Sequence, residues 1–279
     1  MIEKSLEEDI GRGDITSDAL LSDENVEAKI FAKEKCVLAG LEEAKNIFEK
    51  LGVEVNAYAK DGCNIRKGTV ILNLKGSAKS ILAGERTALN FLSRMSGIAT
   101  LTNKTVEKCR RINPDVKIAA TRKTTPGFRY YEKKAVMFGG GISHRYGLYD
   151  AILIKDNHIK IVGSINECIK RAKKTRKKIE IEVENIDDAV KATKSGADTI
   201  MFDNFTPENV KRGYEKIKKI NKNIKIEVSG GITPKNITEY ARYADVISLG
   251  MLTHSVKSID FSLEIVNSTT ESFSVKVSR

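Results

Sequence analysis

Residues 179–204, IEIEVENIDDAVKATKSGADTIMFDN, decide the architecture. Two short β-branched runs, Ile179–Val183 and Thr199–Phe202, bracket Ile186–Ser195, a stretch with the length and composition of a helix. The rhythm extends in both directions. Val116–Ala120 and Ala151–Ile154 lie upstream, Ile224–Val228 and Val246–Leu249 downstream, and most are separated by helix-like stretches such as Ser164–Lys174, Pro207–Ile220 and Pro234–Tyr243. Strands alternating with helices of this length predict βαβ units and a parallel sheet. No G-x-G-x-x-G follows the first strand, so the rhythm alone favours a closed (β/α) barrel over a dinucleotide-binding open sheet.

Each run closes on a polar or glycine signal: Arg122-Lys123, Lys155-Asp156-Asn157, Glu182-Val183-Glu184, Asp203-Asn204, Ser229-Gly230-Gly231 and Ser248-Leu249-Gly250. In α/β barrels these strand ends form the mouth of the active site, so the residues are expected around one cavity. Segment 121–158 alone carries seven Lys/Arg, two of the three histidines and the run Gly139–Gly141. Lys and Arg avoid interiors unless paired. Cations at the ends of apolar strands therefore predict a pocket for something strongly anionic.

Residues 1–112 read differently. Val26–Leu38 alternates like a strand, Leu41–Leu51 like a helix, and Asp61–Gly76 like two strands turning at Gly62 and Gly68. The apolar-periodic stretch Ile81–Ile112 reads as two helices broken near Ser96-Gly97. The expected division is a small α+β domain at 1–112, joined by 265–279 with its strand-like Phe273–Val277, and a barrel at 113–264.

Composition narrows the function. The 279 residues are 41% hydrophobic, enough for a sizeable core, with no run of 18 apolar residues to cross a membrane. The N-terminal MIEKSLEEDIGRGD is unlike a secretory signal, so a cytoplasmic protein is expected. Cys36, Cys63, Cys109 and Cys168 are far apart and suggest neither zinc nor a disulfide framework. A net charge of +11 raises nucleic acid or membrane as partners, but much of the excess lies in 170–178 and 216–225, read as solvated helix ends. Aromatics are 6% and Trp is absent, so base-stacking platforms are scarce.

Among candidate site residues, Ser229-Gly230-Gly231 lies between a strand and a helix expected near Pro234, and small residues let backbone N–H groups approach a phosphate there. Ser248–Gly250 offers a second such turn; either could be a simple turn. Glu182 and Asp203 could coordinate Mg²⁺, hold sugar hydroxyls or stabilise developing positive charge, unless they only pair with nearby cations. Alternation does not say which of Glu180, Glu182 and Glu184 faces the centre. His144-Arg145 reads as an anion donor pair, His158 as a helix cap and His254 as support for the last loop. Asp9, Gly11, Gly13 and Asp14 form an acidic glycine loop that spacing does not interpret.

With these residues assembled, the chain resembles the quinolinate phosphoribosyltransferase family nearly end to end. The motifs are EDIGRGDITS at 8–17, ERTALNFLSRMSGIATLT at 85–102, TRKTTPGFR at 121–129, EKKAVMFGGGISHRYGL at 132–148, LIKDNHI at 153–159, EVEN at 182–185, FDN at 202–204, SGGIT at 229–233 and ISLGMLTHS at 247–255. The resemblance implies an α/β enzyme with an N-terminal open-faced sandwich and an incomplete (β/α) barrel, working as a dimer or hexamer. It implies transfer from phosphoribosyl pyrophosphate to quinolinate, releasing pyrophosphate and CO2 and leaving nicotinate mononucleotide, with Mg²⁺ assistance. By motif match, Arg122, Lys123, His144 and Arg145 would receive the quinolinate carboxylates, Thr121 would belong to the substrate-binding set, and Arg86 would reach a neighbouring subunit's site. Lys155 would sit between carboxylate and phosphate regions. Glu182 and Asp203 would face the ribose and metal-pyrophosphate side, with Ser229, Gly230, Gly231, Ser248, Leu249 and Gly250 at the 5′-phosphate. Lys123, Lys155, Glu182 and Asp203 are the candidate catalytic residues. Ser143 stands where Asn is frequent, another short hydrogen-bonding residue.

Rival readings predict other behaviour. A nicotinate-accepting relative would keep the fold but not need Arg122, Lys123, His144 and Arg145 together. A nucleic-acid binder gives no role to Glu182 or Asp203, and a biotinyl- or lipoyl-type carrier needs flanks that Lys67-Gly68 lacks.

Overall fold

A computed structural model of the chain describes residues 1–266, which fall into two compact units: Met1–Gly97 with the chain from Ser258 onward, and Ile98–Lys257. The first opens with α1 (Ile2–Ile10) and α2 (Ile15–Leu20). Asp14 of the acidic glycine loop is the α2 cap: its carboxylate accepts from the N–H groups of Thr16 and Ser17, each at 3.1 Å, and from the Ser17 hydroxyl. Then follow β1 (Asn25–Ala32), β2 (Cys36–Val37), α3 (Leu41–Lys50), β3 (Glu54–Ala57), β4 (Asn64–Ile65), β5 (Val70–Ser77) and α4 (Ala78–Arg110). Alternation in β1 buries Ala28, Ile30 and Ala32 while Glu27 and Lys29 remain on the other face, ion-paired with Lys75 and Glu264.

The expected break at Ser96-Gly97 does not occur: α4 is one helix of 33 residues. Ser96 is completely buried and binds both the N–H and the C=O of Ala39 at 3.0 Å. Tertiary contact thus overrides the weak helix propensity of Ser and Gly. Residues of α4 up to Gly97 belong to the first unit and those from Ile98 to the second.

The second unit continues with β6 (Lys117–Ala120), α5 (Arg129–Phe138), β7 (Ile152–Ile154), α6 (Asp156–Val162), α7 (Ile165–Lys173), β8 (Ile179–Val183), α8 (Ile186–Ser195) and β9 (Thr199–Asp203). It ends with α9 (Pro207–Ile220), β10 (Lys225–Ser229), α10 (Ile237–Ala241), β11 (Val246–Leu249) and α11 (Met251–His254). Its helices start where the sequence provides caps. Ser164, Asn185 and Thr206 accept from the N–H groups of Glu167, Asp188 and Asn209. The basic runs close α7 and α9, where cations meet the negative helix ends: Lys170, Arg171 and Lys173 in one, Lys218 and Lys219 in the other.

All six strands of this unit are parallel, in the order β6-β11-β10-β9-β8-β7, and Ile142 adds a parallel bridge to Ala119 beside β6. Among the described residues no ladder joins Ile142 to β7, so the closed barrel that the rhythm alone favours is not formed. The barrel is incomplete because residues 143–151 cross the gap without pairing as a strand. From Ser258 the chain rejoins the first unit, where β12 (Phe261–Val266) pairs antiparallel with β1 and completes the sheet β12-β1-β5-β3. The expected strand Phe273–Val277 lies outside the described residues.

Candidate active site

Along the parallel strands alternate residues point to the enclosed side, and the last of them reach a cavity of about 670 Å³ in the second unit. Thr121, Arg122 and Lys123 line it after β6, Lys155 after β7, Glu182 at the end of β8, and Asp203 at the end of β9. Ser229, Gly230 and Gly231 follow from β10, Ser248, Leu249 and Gly250 from β11, and His144 with Arg145 from the segment that crosses the barrel gap. Fourteen of the fifteen expected site residues therefore meet in one place. The other, Arg86, is exposed on α4 in the first unit and is not among the lining residues.

Deepest lies a network that motif reading did not single out. His144 Nε2 is 3.3 Å from Glu180 and 3.1 Å from Glu227, and both glutamates are buried. Burial alone would lower the imidazole pKa, but hydrogen bonds and charge from the two carboxylates outweigh it and raise it to about 10. Glu180 is pushed up by burial, with Glu227 adding repulsion against the pull of His144. One oxygen of each glutamate, Oε1, has no hydrogen-bond partner. Three such groups within 4.8 Å could hold a metal, but a protonated ring, which the raised pKa favours, has no lone pair on Nε2 to give one. The geometry suits a fixed imidazolium. Strand phase was the available signal: Glu180 and Glu182 share it in IEIEV, as Glu227 does with Ser229 in KIEVS.

Nearer the mouth, Lys155 makes a close ion pair with Glu182. Asp203 is raised from its ordinary carboxylate range by burial first and by Glu182 next, while Asn204 Nδ2 donates to it at 2.8 Å. Burial likewise lowers Arg145, with Arg122 adding repulsion. The mouth thus crowds like charges of both signs, a condition that bound ions of opposite charge relieve.

The first small-residue turn is sterically required, and the second is crowded only by side chains. A Cβ on Gly230, at φ +81°, would sit 2.3 Å from Asn204 Oδ1, and one on Gly250 would meet His254 and Lys123 at 2.9–3.0 Å. The helix after the first turn begins at Ile237, not near Pro234, and has five residues, because Asn236 folds back onto the Thr233 N–H at 2.8 Å. The turn itself, with little helix dipole behind it, faces the cavity. Ser248 is 5% exposed and its Oγ has no partner. His254 also lines the cavity, and His158 Nδ1 accepts from the Lys155 N–H at 2.9 Å at the start of α6. Gly139 and Gly141 serve packing: a Cβ on either would collide with Thr102, and also with the carbonyl of Ala99 or Ile118.

Known proteins resemble the chain across both units. The family pattern "Quinolinate phosphoribosyl transferase, N-terminal domain" matches residues 14–96, and the corresponding C-terminal domain matches 98–264. A protein of Archaeoglobus fulgidus named as a probable nicotinate-nucleotide pyrophosphorylase (carboxylating) is 48% identical over 91% of this chain and 98% of its own length. The Homo sapiens nicotinate-nucleotide pyrophosphorylase (carboxylating) is 37% identical over 86% of this chain and 82% of its own. The solved structure of the Francisella tularensis nicotinate-nucleotide pyrophosphorylase superposes with a TM-score of 0.89 at 38% identity, covering 95% of this chain and 94% of that one.

Proposed function

This chain belongs to the quinolinate phosphoribosyl transferase family, and on that premise we infer that it moves the phosphoribosyl group of 5-phosphoribosyl 1-pyrophosphate to quinolinate. Pyrophosphate and CO2 leave, and nicotinate mononucleotide remains for NAD biosynthesis. The observation that carries this reading is the ring of Arg122, Lys123, His144, Arg145 and Lys155 around one cavity with Glu182 and Asp203. A diacid and a ribose phosphate bearing pyrophosphate need many cations and few anions, and Arg pairs carboxylates and phosphates bidentately.

The chemistry divides along the same line. Arg122, Lys123, Arg145 and the His144 ring nitrogen that does not face Glu180 and Glu227, with Thr121, hold the two carboxylates and aim the pyridine nitrogen at C1 of the ribose. As the C1–pyrophosphate bond breaks, positive charge grows on the ribose, and Glu182 and Asp203 stabilise it electrostatically. Lys155, paired with Glu182, faces the departing pyrophosphate. The new bond at nitrogen makes the ring cationic, which draws in the electron pair left when the adjacent carboxylate departs as CO2. A proton then takes that carboxylate's place. Ser229–Gly231 and Ser248–Gly250 cradle the 5′-phosphate.

Glu182 and Asp203 fit a Mg²⁺ ion, being hard oxygen donors whose mutual repulsion is already visible at Asp203. When bound with the substrate, the ion supplies charge that neutralises the leaving pyrophosphate. Arg86, exposed and not among the residues lining the cavity, would enter a neighbouring subunit's site in a dimer or hexamer. The setting is cytoplasmic, which the four free thiols suit.

Parallel assays with quinolinate and nicotinate test the reading. CO2 and pyrophosphate released in equal amounts from quinolinate are expected. Turnover of nicotinate alone would overturn it.

A further inference from the structure

We propose that α5 is a brace for the acceptor pocket: Arg129, Glu132 and Lys133 are positioning residues that hold the Thr121–Thr125 loop and the Ser143–Tyr146 segment at a fixed spacing. This deepens the quinolinate reading, since those two segments carry Arg122, Lys123, His144 and Arg145.

Each residue of the brace binds one or both segments. Glu132, completely buried, accepts from the N–H and the hydroxyl of Thr125, both at 3.0 Å. Arg129 joins the two: its Nε donates to Thr124 Oγ1 at 3.0 Å and its Nη1 to the Tyr146 carbonyl at 3.0 Å. Lys133, one helical turn further along, is also completely buried and donates to the Ser143 carbonyl. The carbonyls held by Lys133 and Arg129 flank His144-Arg145, which lie in the open gap of the barrel where no strand pairing fixes them.

Two further observations favour positioning over simple stability. His144 sits at φ 49°, a left-handed conformation that few non-glycine residues adopt, although histidine does so more readily than most. Lys133 on the preceding carbonyl helps to hold it there. Burying an ammonium near Arg129, Arg122 and Arg145 is also a poor way to gain stability, because an apolar chain of the same size would cost less. Burial and these neighbours bring Lys133 down to about 8 even with Asp150 opposing.

Lys133→Met keeps the volume and removes the donor. Expected is a rise of about tenfold or more in the KM for quinolinate, with the KM for phosphoribosyl pyrophosphate nearly unchanged. Lys133→Arg should recover part of the loss. Amide hydrogen exchange without substrate should show faster exchange over 121–125 and 143–146 and unchanged rates in β9 and β10. Arg129→Gln, on a half-buried side chain, gives the same readouts should the Lys133 variant not fold. Equal shifts in both KM values would overturn the brace. Unchanged exchange in the two segments would overturn it too, whether or not quinolinate is the acceptor. Absence of quinolinate turnover by the wild type would instead refute the functional reading while leaving the exchange test in force.

Discussion

Glu180 and Glu182 stand two residues apart on β8, on the same side of the strand, yet they live in different chemistry. Glu180 is nine-tenths buried, is shared with Glu227 over one imidazolium, and leaves an oxygen with no partner. Glu182, about 7 Å further along, is partly exposed and pairs with the half-exposed Lys155 at the cavity mouth. Depth along the strand decides the outcome. At the bottom, burial raises the cost of any unpaired charge, so the groups are locked to one another. At the mouth, water is replaceable and the charges remain open to exchange partners with a ligand. Deep substitutions should therefore appear in stability and its pH dependence, and mouth substitutions in kinetics.

The largest kinetic effect is expected at Arg145→Ala. Its guanidinium is partly desolvated, with Arg122 near enough to add repulsion. Removing one partner of a desolvated charge pair costs about 2–5 kcal/mol, so the KM for quinolinate should rise by about 30-fold or more. Steady-state kinetics with thermal melting of the same sample separates the two regions: a large KM change with an unchanged Tm is expected. A variant whose Tm fell instead, with KM intact, would place Arg145 in the deep class.

Glu227→Gln tests the deep class. The folded pKa of His144 lies near 10 against 6.5 for the free ring, so its contribution to stability is full below 6.5 and is lost as pH rises through about 10. Glu180, whose folded pKa is also raised, acts in the same direction at lower pH: the folded state holds its proton longer than the unfolded chain does. Wild-type Tm should thus fall as pH increases from 6.5 towards 10. The variant, with one carboxylate fewer at the ring, should show a flatter decline and a loss of about 1–2 kcal/mol at neutral pH. Parallel curves for the two proteins would break the comparison, because they would leave no special charge state for His144.

How this contrast could have been read in advance varies by residue. The mouth was legible because strand ends in an alternating β/α pattern converge, and Arg122, Lys155, Glu182 and Asp203 all mark such ends. The deep network was not. Glu227 sits inside KIEVS, where the whole run reads as a buried strand, and only its phase with Ser229 hints that it faces the centre. Linking it to His144 requires bringing together positions 83 residues apart across the gap in the barrel. The single helix α4 was illegible for a related reason, since the hydrogen bonds that carry it through Ser96 come from Ala39, far away in sequence. Patterning reports direction and period, whereas pairing between distant segments leaves no local trace.

Ser248 sharpens the division because it is deep by burial but belongs to the mouth by its proposed role. Its Oγ is enclosed, unpartnered and on the cavity wall. A buried hydroxyl without a partner is a cost to the folded chain, so Ser248→Ala should leave Tm unchanged or slightly higher. If the hydroxyl waits for a phosphate oxygen, its removal gives up one hydrogen bond, about 1 kcal/mol, and should raise the KM for phosphoribosyl pyrophosphate about fivefold. The KM for quinolinate should not move, since Ser248 lies on β11 whereas the segments proposed to hold the diacid follow β6 and cross the gap. A fall in Tm with no kinetic change would assign Ser248 to the structural interior and remove the second turn from the phosphate site.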